Sequence, residues 1–466
     1  MSKSTIAPSV FDEAMKFINS GDCDSLRKLF QNKSARKNIN KQEYEISHLC
    51  TWPGYLSSDN ARTLLMKACA KGDLNCVQTL IECGAAVNLP DSWDSYHESA
   101  LSVACGAGNM EIVNLLLSRG AKGVVHGESP LVSACFGGHL EIAKLLIERG
   151  ASLDAQSGHD ASALQAACSS GNIELVEFLI NRKADLHAMN KFNSNCLLIA
   201  CGRGNIPLME LLLRNGADVN ACSFGPDATE STCLHLACKK GNIPMIELLL
   251  IYKADMTAYN RAGLSPFIIA YKEGNKAIID LFFQHEIDLN STKSHWSRKV
   301  DEDWVPIEDQ RTPLMFASAA GDVDFAKLLL QHGAEVNIMR QGEDDSEFLC
   351  TDTALLSACR AGQQVIVQLL IELGADVNLQ DDRGNSTLMT LLLPDKEDDY
   401  PPVPLQPPSP ATIACMRVLL EHGADVTVKN KAGKTVFDLV KDEPSWQAAG
   451  LTSLFKEYVD RKPLLK

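Results

Sequence analysis

The residues of this 466-residue chain best suited to chemistry are its sixteen cysteines and eleven histidines, because thiolates and imidazoles serve as nucleophiles and as metal ligands. Their spacing argues against both roles. No two cysteines stand in C-x-x-C order, the pattern of a local zinc site. The phosphate-cradling GxxxxGK(S/T), the nucleophile motif GxSxG and the zinc motif HExxH are also absent. Seven cysteines instead follow an alanine at one recurring position: Cys69, Cys105, Cys135, Cys168, Cys201, Cys238 and Cys359. A thiol placed so regularly is a small apolar side chain on the buried side of a helix. Unpaired thiols in such number imply a reducing compartment. The sequence therefore predicts no catalytic residue, no metal and no cofactor, hence no enzyme and no small-molecule substrate.

The charged residues carry more information. Formal net charge is −15, which argues against general nucleic-acid binding, since that needs a basic face. No apolar run approaches the roughly 20 residues of a membrane span, so no membrane insertion is expected. The amino terminus lacks the apolar core of a signal peptide. A soluble protein of the cytoplasm, or of the nucleus, is expected. Within this acidic chain the middle is locally basic, at Arg203, Lys239, Lys240 and Lys272.

The elements that position these residues are repeats. Segment 353–378, TALLSACRAGQQVIVQLLIELGADVN, shows the unit most clearly. Thr353 is a helix cap, and Leu355, Ala358 and Cys359 form one apolar stripe. Gly362 ends that helix; Ile366, Leu369, Leu370 and Leu373 mark one face of a second, and Gly374 stops it. The residue matching Thr353 recurs at Thr63, Ser99, Ser129, Ser162, Asn195, Thr232, Ser265, Thr312, Ser386 and Thr435, several times at intervals of 33. Two helices this short cannot bury their apolar faces alone, so neighbouring copies must cover them.

This period, together with Thr312-Pro313-Leu314, Thr232-Cys233-Leu234-His235-Leu236-Ala237 and Gly216-Ala217-Asp218-Val219-Asn220, resembles the ankyrin repeat family over roughly 63–440. The resemblance implies an all-α ankyrin-repeat solenoid of about eleven or twelve helix-turn-helix repeats, counting caps, with extended finger loops. It implies a scaffold or adaptor that binds other proteins through a concave groove and the fingers. The two residues before each mid-unit glycine would face the groove, which selects Phe136, Arg203, Lys239, Lys240 and Lys272. Lys191, Phe192, Phe224, Tyr259 and Arg261 would add finger contacts. A basic groove with aromatic neighbours suits an acidic, partly apolar peptide. The alternatives are a substrate-recognition subunit of a ubiquitin ligase, although the tail SLFKEYVDRKPLLK lacks a convincing SOCS- or F-box-like helix set, and a nucleic-acid-binding ankyrin protein. His235 would bond to backbone of its own and the neighbouring repeat. Asn88, Asn220, Asn337 and Asn378 would stabilise turns, or be hydroxylated as such asparagines can be in this family.

In chain order, 1–62 reads as a capping repeat plus a polar insertion with Lys33, Arg36, Lys37 and Lys41; 63–393 as ankyrin repeats; 394–410 as a proline-rich acidic loop splitting one repeat; and 411–466 as the last repeat and cap. That loop is a plain linker or an SH3- or WW-type ligand, with Ser409-Pro410 a further candidate for phosphorylation. Long acidic fingers are expected at 291–310, around Trp296, Asp301, Glu302, Asp303 and Trp304, and at 338–352. Lys183, Lys253 and Glu286 replace the unit's second glycine, so each predicts a left-handed residue with a side chain, at a cost of up to ~1 kcal/mol.

Overall fold

A computed structural model of the chain describes residues 10–37, 39–40, 62–89, 98–122, 129–156, 160–191, 194–223, 231–292, 299–300, 303–304, 311–339, 352–381, 383–393, 408–443, 446–447 and 450–461. The architecture is an all-α repeat solenoid. The chain divides into two compact units, Met1–Ala237 with Pro244–Ala254, and Cys238–Ile243 with Asp255–Lys466.

The first unit opens with helices Val10–Ser20 and Cys23–Gln31 around Gly21, followed by the short helix Lys33–Arg36. Five pairs follow, from Leu64–Lys71 with Leu74–Glu82 to Cys196–Arg203 with Ile206–Arg214. The boundary between the units runs through the pair Cys233–Lys240 and Ile243–Ile251. The second unit holds five more pairs, from Pro266–Lys272 with Lys276–Gln284 to Val436–Asp442 with Leu451–Arg461.

Cap chemistry starts these helices as the sequence predicts. Thr63, Ser99, Ser162, Asn195, Ser265, Thr312 and Thr353 each accept a hydrogen bond from the backbone N–H three residues on. Ser129 and Ser386 start helices without that bond. The second helices have caps of their own, at Asp73, Asn109, Asn172, Asn205, Asn275 and Asp322. The glycine before each of these caps is left-handed, with φ of 69° to 79°, and so are Gly241 and Gly362 at the same position, at 67° and 70°. Gly362 is constrained further, because a Cβ there would stand 2.5 Å from that of Ala411.

In the reference unit Leu355, Ala358, Cys359, Ile366 and Leu370 are buried as expected, together with Val367. Leu373 is not; it is 50% exposed. The helix ends at Glu372, and Leu373 is its cap, so the backbone leaves helical geometry before carrying that side chain inward. The seven alanine-following cysteines are all buried. Lys183, Lys253 and Glu286 do adopt positive φ, at 67°, 60° and 52°.

The asparagines do more than shape a turn. Asn88 donates to the Gly120 carbonyl at 2.9 Å and accepts from the Lys122 N–H at 2.9 Å. Asn290 makes the same two bonds to Gly333 and Glu335, Asn337 to Gly374 and Asp376, and Asn378 to Gly423 and Asp425. Each therefore ties its repeat to the next. A second ladder runs through the mid-unit caps: Asn109 and Asn172 reach back to the carbonyls of Gly72 and Gly138.

The sequence treats the fingers as loops. Three of them close on single antiparallel bridges, Gln156 with Ser162, Cys222 with Thr232 and Gln380 with Ser386. In 291–310 a two-residue antiparallel ladder pairs Lys299–Val300 with Asp303–Trp304. Trp296, Asp301, Glu302 and the acidic run 343–347 lie outside the described residues, as do Lys41 and most of the proline-rich loop. Where the split repeat resumes, Pro410–Glu421 starts on Ser409, whose hydroxyl accepts from the Thr412 N–H at 3.0 Å.

Candidate partner-binding surface

Each candidate groove residue sits in the last turn of the first helix of its repeat. In the first unit Phe136 lies near the end of Pro130–Gly137 and Arg203 ends Cys196–Arg203. Both are exposed, Phe136 at 46%. In the second unit Lys239 and Lys240 close Cys233–Lys240 and Lys272 closes Pro266–Lys272. All three lysines are exposed. Left-handed glycines follow, Gly241 with φ 67° and, one residue beyond Glu273, Gly274 with φ 69°. Lys239 and Lys272 thus occupy one structural position, two residues before the glycine, and Lys240 the next, where the following repeat has Glu273. Cations there also complement the carbonyl end of a helix, which contributes a few tenths of a kcal/mol without any partner.

The finger candidates divide. Lys191 sits on the turn that closes through the Asn190 N–H to the Ser194 carbonyl at 3.2 Å, and Arg261 on the turn that the Asn260 side chain holds by accepting from the N–H groups of Ala262 and Leu264. Both are exposed. Phe192 and Phe224 lie outside the described residues.

Tyr259 is a correction. It is only 4% exposed, and its hydroxyl donates to the carbonyls of Ser291 at 2.7 Å and Arg311 at 3.3 Å. A phenol held by two carbonyls of the following segment anchors that segment and is withdrawn from any ligand.

His235 behaves as a structural residue. It is 1% exposed, its Nδ1 accepts from the Thr232 N–H at 3.2 Å, and the same nitrogen stands 2.8 Å from the Thr232 hydroxyl. The corresponding position two repeats earlier is Gln165. Its carbonyl oxygen accepts from the Ser162 N–H, and its amide donates to the carbonyls of Ala188 and Ser194 in the next repeat. A polar residue three places after the cap, followed by two alanines, is the signal that would have found it.

Other polar groups in the second unit serve packing. Tyr271 stacks on Phe325 with ring centroids 4.1 Å apart and donates to Asp322 at 3.1 Å. Burial and the Asp322 carboxylate push its hydroxyl up to about 12. Asp352 is buried; it accepts from the Ser357 hydroxyl at 2.8 Å and stands 3.5 Å from Arg311. Burial dominates and raises its pKa, against the pull of Arg360, Ser357 and Arg311. Among the described residues no helix is long and apolar enough to cross a membrane.

The family model described as ankyrin repeats (3 copies) matches in overlapping segments, 14–125, 65–157, 122–190, 164–260, 197–293, 234–340 and 297–381. The first segment takes in part of the opening pair that the sequence reads as a cap. Beyond 381 the structure carries the pattern on, because Asn378 bonds to Gly423 and Asp425 as Asn337 bonds to Gly374 and Asp376. No curated protein matches the chain. Among solved structures, the crystal structure of the human ASB11 ankyrin repeat domain is similar at 30% identity and a TM-score of 0.39, over 45% of this chain and 92% of that one. Repeats of this type mediate protein–protein interaction, and this chain belongs to the ankyrin repeat family.

Proposed function

We propose that this protein is a non-enzymatic scaffold or adaptor whose second unit captures an acidic segment of a partner protein through Lys239, Lys240 and Lys272. The observation that carries this reading is the placement of exposed Lys239 and Lys272 at one position of consecutive repeats, with Lys240 beside the first, in a chain of net charge −15. Matching of a basic patch to an acidic segment raises the association rate and selects against basic partners. Of the expected aromatic contacts, Tyr259 is buried and takes no part, whereas Phe136 is exposed. The segment facing the three lysines is defined by its carboxylates. Arg203 and Phe136 are exposed at the ends of their own helices in the first unit.

The test is selection from a displayed random-peptide library on the full-length protein, with the triple variant Lys239→Glu, Lys240→Glu, Lys272→Glu as counter-target. Enrichment of sequences rich in Asp and Glu that ignore the variant supports the reading. Enriched peptides without acidic bias, or held equally by the variant, would defeat it.

A further inference from the structure

We infer that Cys23, Asp73 and Cys76 form a binding site for a zinc-like divalent cation, which clips the opening helix pair to the first full repeat. The three residues come from two places. Cys23 starts the second helix of the opening pair, while Asp73 caps Leu74–Glu82 and Cys76 lies one turn inside it. The two sulfurs stand 3.5 Å apart although 53 residues separate them. One donor atom from each residue lies within 4.8 Å of the other two. Around a tetrahedral zinc with bonds of about 2.3 Å, two thiolate sulfurs sit about 3.8 Å apart, so the thiols need to move only slightly.

The surroundings favour a cation. Asp73 has one oxygen accepting from the Cys76 N–H at 3.1 Å, which fixes the carboxylate plane. Its other oxygen, Oδ2, lies 3.4 Å from where a Cβ of Gly21 would be, so glycine at that turn leaves room beside it. Lys71, two residues before Asp73, donates to the carbonyls of Ile18 and Asn19 at the end of the first helix. Cys76 is buried, whereas Cys23 and Asp73 are half-buried, so an ion can arrive from solvent on their side. Two thiolates and one carboxylate select a borderline-soft ion over Ca²⁺ or Mg²⁺, with water as the fourth ligand.

The spacing rule that argues against zinc in this sequence looks for two cysteines on one turn. Stacked repeats bring together residues far apart in the chain, and that rule cannot see them.

The full-length protein, reduced and then freed of reductant under argon, is dialysed against Zn²⁺ with a weak competing chelator. Retained metal is measured by mass spectrometry, and Co²⁺ is substituted for optical spectra. One zinc per chain is expected, with thiolate-to-cobalt charge transfer and a melting temperature raised by the metal. Cys23→Ser and Asp73→Asn should each weaken binding on the order of 100-fold or more. Asp73→Asn keeps the cap acceptor, so it serves if Cys23→Ser fails to fold. Equal zinc content in wild type and Asp73→Asn, or no retained metal in a folded wild type, overturns the proposal. So does a Cys23–Cys76 disulfide that persists through reduction, found by peptide mapping.

Discussion

Replacing Lys183, Lys253 and Glu286 by glycine should stabilise the protein. The corresponding position in other repeats is glycine, from Gly84 with φ 101° to Gly120 with φ 82°. The three side-chain-bearing residues sit at φ 67°, 60° and 52°, nearer the narrow left-handed minimum that an L-residue tolerates. Holding an L-residue there costs about 1–2 kcal/mol. Glycine relieves that cost but returns about 0.5–1 kcal/mol of backbone entropy to the unfolded chain. All three side chains are exposed, so little contact is lost. The net expectation is a gain of about 0.5–1 kcal/mol per site, and about 2 kcal/mol for the triple variant if the sites are independent. Urea unfolding followed by circular dichroism should show a higher midpoint with an unchanged slope. The converse change, Gly216→Lys, should cost a similar amount. A lower midpoint for any of the three glycine variants would show that the side chain, rather than the backbone, is what that turn uses.

Three further outcomes can be checked with the same protein. Asn337→Ala removes bonds of 3.0 Å and 2.9 Å to the next repeat, and at this exposed site should cost about 1–2 kcal/mol in urea unfolding. Tyr271 has its pKa raised from 10 to about 12 in the folded state, so its contribution is present below pH 10 and is lost as pH rises through about 12. Tyr271→Phe should therefore flatten the fall in thermal midpoint between those values. Burial pushes the thiols of Cys69 and Cys135 up to about 12, so peptide mapping after iodoacetamide at pH 8 should find them modified only in urea, while half-buried Cys23 and Cys83 react in the native protein.

Much of this architecture is legible because ankyrin units repeat their punctuation. The cap at Thr353, the glycines at 362 and 374 and the cysteine at 359 each act within a few residues of themselves, so spacing alone locates them. What the spacing misses depends on the neighbouring repeat. Tyr259 reads as a surface aromatic because nothing local says that Ser291 and Arg311 will offer it two carbonyls. Asn337 reads as a turn residue because its partners are 37 and 39 residues away. Leu373 fits the apolar stripe by number, yet the helix stops one residue before it. The pairing of Cys23 with Cys76 is hidden for the same reason as the Tyr259 contact. The exposed lysines are legible as positions, and their partner is a matter of charge rather than of fold.

The most direct test of the binding reading is a calorimetric titration of an acidic library-selected peptide into wild type and into the Lys239→Glu, Lys240→Glu, Lys272→Glu variant. Each exposed ion pair contributes up to ~1 kcal/mol, and reversal adds repulsion of similar size. Three reversals should then cost about 2–4 kcal/mol, on the order of 30- to 1,000-fold in Kd. The wild-type affinity should also fall as salt rises. An unchanged Kd in a folded triple variant would contradict the account, and would leave these lysines as complements to their helix ends.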